Sequence, residues 1–110
     1  MKTYDLRDNQ ERIFGFEVNN FPLLSRQRAA ALVASIPGAE VTRWPLRTFF
    51  SQEDDFCEFI IAGKRFVISE PYGDNSRYWI GSIEPGSREC CQELEVVRNT
   101  FANFYSWWPF

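Results

Sequence analysis

The 110-residue sequence contains no histidine. That absence removes Ser–His and Cys–His nucleophilic catalysis and every histidine-containing zinc site. Cysteine is scarce too. Its three positions, Cys57, Cys90 and Cys91, form no C-x-x-C pair, and an odd count with an adjacent pair is a poor disulfide framework. All three read as structural, with Cys57 acting as a small hydrophobe in an apolar strand pattern. No run approaches the roughly 18 apolar residues of a membrane-spanning helix. The N-terminus, MKTYDLRDNQER, lacks the apolar core of a secretory signal, so the expected location is the cytoplasm with no membrane partner. Excess positive charge is missing as well: the net charge is −3, which argues against nucleic acid as a partner. G-x-S-x-G, P-loop and G-x-G-x-x-G patterns do not occur, so no catalytic residue and no cofactor is assigned. An enzyme is the lesser expectation.

Aromatic side chains are abundant: 11 Phe, 4 Tyr and 4 Trp. Each large ring can bury roughly 150–250 Å². A chain of this length can therefore fill a core without staples, as one globular domain over residues 1–110.

Residues 3–7, TYDLR, and 12–18, RIFGFEV, alternate apolar with polar and predict a hairpin. Tyr4 and Leu6 then share a face with Phe14, Phe16 and Val18 if the connecting loop takes about five residues. Ser25 caps a first helix, with Ala29, Leu32, Val33 and Ile36 on one stripe and Pro37-Gly38 as its stop. Arg26 and Arg28 in its first turn either neutralise an anion at the helix N-terminus or, the favoured reading, are solvated or paired with local carboxylates. EVTRWPLRTFF, 40–50, predicts a strand that Pro45 confines to an edge or bulge.

In FCEFIIAGKRFVISE, a two-residue turn at Gly63-Lys64 of type II′ pairs Ile61 with Phe66 and Phe59 with Ile68. Those four residues are expected in the core, with Glu58 exposed opposite. A turn at Ala62-Gly63 is expected to scramble the faces. RYWIGSIE supplies a further strand, and a last helix is predicted from about 88 to 106. Cys90, Leu94, Val97, Phe101, Phe104 and Trp108 line its apolar face, Tyr105 falls within the stripe, and Trp107 and Phe110 point away. The aromatic C-terminus, FANFYSWWPF, is therefore expected to be mostly core.

The fold class that follows is α+β, an antiparallel sheet of about five to six strands with two helices on one face. The element order is β-β-α-β-β-β-β-α. From residue 12 onward, strand–helix–four strands–helix, the order resembles the half-repeat of TATA-binding-protein-like folds. The resemblance is one of layout: no motif accompanies it, the charge is wrong for DNA, and it implies no function.

The acidic run Glu53-Asp54-Asp55 lacks the spaced ligands and glycine of a calcium loop and reads as solvated, so no metal is assigned. The stretch EPYGDNSRYW is the best candidate for a functional segment, because it joins two strands with more residues than a tight hairpin needs. Tyr72, Asp74, Asn75, Arg77, Tyr78 and Trp79 are its candidate binding residues, combining hot-spot side chains with hydrogen-bonding groups. One ring of the Tyr78-Trp79 pair should face inward, and Asp74 has the option of simply pairing with Arg77. Trp44, Arg47 and Trp107 are secondary candidates. The expected function is a non-enzymatic protein–protein interaction module of the immunity, inhibitor or adaptor type, with a protein partner. The alternative is a small-molecule-binding domain or minor enzyme with a pocket between sheet and helices.

Overall fold

The structure, a computed structural model, describes residues 3–7, 13–19, 25–45, 55–70, 77–83 and 91–104. Its elements run β1 (Thr3–Arg7), β2 (Ile13–Asn19), α1 (Arg26–Ala34), β3 (Ala39–Arg43), β4 (Asp55–Ile61), β5 (Lys64–Ser69), β6 (Arg77–Ser82) and α2 (Cys91–Ala102). The six strands form one open antiparallel sheet in the order β1-β2-β6-β5-β4-β3. This is the α+β architecture and element order expected from the sequence. The chain leaves β2 inside the sheet, crosses its face through α1, enters β3 at the far edge, and returns by hairpins until β6 pairs with β2.

Local chemistry accounts for α1. The Ser25 hydroxyl accepts the Arg28 N–H at 3.1 Å, and Ala29, Ala30, Val33 and the following Ile36 are buried. Pro37 ends it, and Gly38, at φ +85°, turns the chain into β3. On α2, Leu94, Val97 and Phe101 form the fully buried stripe. That helix stops at Ala102 rather than near 106, because its end tightens: Phe104 N–H donates to the Phe101 carbonyl three residues back. Phe104 packs against the core from outside the helix. Tyr105, Trp107, Trp108 and Phe110 lie outside the described residues.

The core lies between the helices and one face of the sheet. Phe16, Val18, Phe59, Phe66, Ile68 and Ile80 supply the strand side of it and are fully buried. Phe16 meets Phe101 edge-on with centroids 5.8 Å apart, and Phe59 stacks on Phe66 at 5.3 Å. Burying one such ring contributes about 1.5–3 kcal/mol relative to exposure.

Three expectations are corrected. The β4–β5 turn is Ala62-Gly63, both at positive φ (52° and 76°), the signature of type I′, so Phe59 pairs with Phe66 and Cys57 with Ile68. Moving a two-residue turn by one position shifts the pairing by two, which preserves the faces rather than scrambling them. Phe59, Ile61, Phe66 and Ile68 are accordingly all buried, and Glu58 stands half-exposed on the other face.

The first hairpin does place five residues, 8–12, between the Arg7–Ile13 pair, but β2 bulges at Phe14. The extra residue reverses the parity of everything beyond it: Tyr4 lies opposite Glu17 and Leu6 opposite Gly15, away from Phe16 and Val18. The third strand ends at Arg43, after a bulge at Thr42 and before Trp44-Pro45, since proline has no N–H for the ladder. Residues 46–50 lie outside the described part.

Candidate functional site

The face of the sheet opposite the helices has a different composition. Register places Tyr4 and Leu6 of β1, Gly15, Glu17 and Asn19 of β2, Arg77, Trp79 and Gly81 of β6, and Val67 and Ser69 of β5 on it. Gly15 and Gly81 are direct partners across β2 and β6, and the Trp79 indole lies over both. A Cβ built on Gly81 would fall 2.5 Å from the ring, and one on Gly15 3.0 Å from its Nε1. Glycine weakens a strand interior, so a paired set needs a reason. The indole provides it, together with the Ile80 and Phe14 carbonyl oxygens, each 3.1 Å from one of those Cβ positions.

Polar groups border the indole. Glu17, directly opposite Trp79, is only 8% exposed and accepts from Arg77 Nη1 at 3.1 Å. The Arg77 guanidinium sits 3.9 Å from the centroid of the Tyr4 ring, and Asn19 Nδ2 donates to the Tyr4 hydroxyl at 3.3 Å. A charge-assisted hydrogen bond and a cation–π contact thus order one guanidinium across three strands.

The candidates from the 70–79 stretch divide sharply. Arg77 and Trp79 face outward in β6, at the surface just described. Arg77 engages Glu17, the carboxylate 60 residues away, where a pairing with Asp74 had been an expected option. Tyr78 does not face that surface: it is 3% exposed, on the helix side, and meets Phe56 edge-on at 4.9 Å. Strand alternation sends neighbouring rings to opposite faces, which is the reason. Tyr72, Asp74 and Asn75 lie outside the described residues, as do Arg47 and Trp107, while Trp44 follows β3 and is 49% exposed. Sequence reading missed Tyr4, Glu17 and Asn19. The available signal was the glycine interrupting each of two otherwise apolar strand patterns, RIFGFEV and RYWIGSIE.

Elsewhere among the described residues, the buried and half-buried carboxylates are matched by cations, while Glu40, Asp55 and Glu95 are exposed. Glu70, nearly buried after β5, accepts from both Nε and Nη2 of Arg26, at 3.0 and 2.6 Å, and the same guanidinium covers Phe56. Arg26 is thus paired, as favoured, but with a carboxylate distant in sequence. Lys64 holds Glu93 at 3.1 Å, Arg43 holds Glu58 at 3.1 Å, and Arg98 holds Asp5 at 2.7 Å. The Glu93 carboxyl is lowered below its usual range by its own backbone N–H first, with Lys64 adding to the effect. Burial, reinforced by the Glu58 charge, pushes the Cys57 thiol up to about 12, so it stays protonated and unreactive at neutral pH. Among the described residues, no three His, Cys, Asp or Glu side chains gather as metal ligands, and no helix is long and apolar enough to cross a membrane. Asp55 opens β4 exposed, and Glu53 and Asp54 lie outside the described residues.

Comparison with known proteins gives no match to a family model, a curated protein or a solved structure.

Proposed function

We propose that this chain is a cytoplasmic protein–protein interaction module, of the immunity, inhibitor or adaptor type, and that it binds its partner through the helix-free face around Trp79, Arg77 and Tyr4. The observation that carries the reading is the indole seated over the Gly15–Gly81 pair. Two strand positions give up their side chains to hold one broad ring, with an ordered arginine and a tyrosine beside it. Trp, Tyr and Arg are the residue types in which interface binding energy concentrates. Near that face and around the core, Glu17, Glu58, Glu70 and Glu93 are each engaged by a cation, which supports recognition over catalysis.

The test is affinity capture from the native cell, read by mass spectrometry, with melting of each variant measured in parallel. Arg77→Lys keeps the charge facing Glu17 but loses the planar fork. It should reduce recovery of a specific partner several-fold while leaving the melting midpoint within a few degrees of the parent. Val96→Ser, at an exposed position on α2, should reduce nothing. Undiminished recovery by both Arg77→Lys and Trp79→Leu would exclude this face.

A further inference from the structure

The two edges of the sheet are held in different ways. At one edge, β3 packs Ala39 and Val41 against the core. At the other, no side chain of β1 belongs to the core: Thr3, Tyr4, Asp5 and Leu6 are half-buried and Arg7 is exposed. Beyond its ladder with β2, two contacts reach β1 from other elements through charged side chains. Asp5 accepts from Arg98 on α2, and Tyr4 lies against Arg77 on β6.

The first of these ties is incompletely made. Asp5 uses only Oδ2, which accepts from Arg98 Nη1 and, within β1 itself, from Arg7 Nη2 at 3.1 Å; Asp5 Oδ1 and Arg98 Nε are both buried without a hydrogen-bond partner. Each such atom has lost its hydration and gained nothing in return. Opening β1 returns both to water. Beneath it, β2 remains anchored by the fully buried Phe16 and Val18 and by its ladder with β6.

We infer that β1 is a latch: it detaches from β2 as a unit while the five strands β2-β6-β5-β4-β3 and both helices stay folded. Opening uncovers the outer edge of β2 and removes Tyr4 from the side of Arg77. The latch stands independently of the partner reading. If both hold, a partner that grips Tyr4 and Arg77 together binds only the latched form, and its binding closes β1 by linkage.

Native-state hydrogen exchange on the full chain tests the latch. The β1 amides that bond to β2 should exchange at least about tenfold faster than the paired amides of β4, β5 and β6, by an opening nearly independent of denaturant. Arg98→Met keeps the hydrophobic stem but removes the tie, and it should speed β1 exchange about tenfold further while leaving β4 and β5 unchanged. Exchange of β1 at the same opening free energy as β4 and β5 in the parent protein overturns the inference, and that measurement needs no variant to fold. Equal acceleration of β1 and β5 by Arg98→Met overturns it as well.

Discussion

On its helix side the sheet presents phenylalanines and branched aliphatics that pack with α1 and α2 into a buried core. On its other side, one indole rests on two glycines, and the positions around it include Glu17, Arg77, Tyr4 and the Arg43–Glu58 pair beside Leu6, Asn19, Val67 and Ser69. Both faces belong to the same strands and alternate residue by residue along them. The helix side is cohesive through area, so any one ring is costly to lose and its exact neighbour matters less. The other side is cohesive through fit, so a single methyl group in the wrong place disturbs it. Stability thus rests mainly on the helix side, and the proposed recognition surface lies on the opposite face of the same sheet.

The largest expected effect tests the first half of that contrast. Phe66→Ala removes a fully buried ring stacked on Phe59 and should cost about 3–5 kcal/mol, measured by denaturant unfolding. A loss below about 1 kcal/mol, the scale of surface substitutions, would mean that the helix side does not carry the stability.

A smaller effect isolates the second half. Gly81→Ala adds one methyl group where the Trp79 ring lies, and it should cost about 1–3 kcal/mol as the indole is forced off the sheet. In a Trp79→Ala background the ring is gone and the closest atom left is the Phe14 carbonyl oxygen, 3.1 Å from the new Cβ, which has to give by a few tenths of an ångström. The same substitution should then be neutral or stabilising by about 0.5–1 kcal/mol, because alanine loses less backbone freedom than glycine. Such a reversal of sign is a property of the pair and not of either residue. Additive costs would show that Gly81 serves some purpose other than seating the indole.

The two faces were also unequally legible. Period-two patterning in FCEFII and KRFVIS exposes the helix side directly, since each buried residue announces itself by being apolar. Cap, stripe and Pro-Gly stop make α1 equally plain. The other face depends on Gly15 and Gly81 meeting across a non-local strand pair, and on Arg77 reaching Glu17 from 60 residues away. No local pattern encodes either. At β1 a single bulge residue, Phe14, was enough to send Tyr4 and Leu6 to the opposite surface. Parity is easily read from a strand, but an inserted residue is not.

Register within the second hairpin is the subtlest point, because burial cannot decide it. Turns at Ala62-Gly63 and at Gly63-Lys64 put the same side chains on the same faces and differ only by two residues in pairing. Glycine at the first turn position favours the second choice on local grounds, since alanine resists a left-handed backbone by roughly 1–2 kcal/mol. The fold adopts the first, with Ala62 at φ 52°, and gains the in-register Phe59–Phe66 stack. Tertiary packing has overridden the turn preference. Ala62→Asn turns that tension into a measurement. Asparagine tolerates the left-handed region and is favoured at the first position of a type I′ turn, so the variant should gain about 0.5–1 kcal/mol and melt several degrees higher. Were the turn at Gly63-Lys64, residue 62 would be a paired strand position. Asparagine is disfavoured there, and the same substitution would lower the melting point. The direction of the shift alone distinguishes the two pairings, and a decrease would reopen which residues of β4 and β5 face each other across the core.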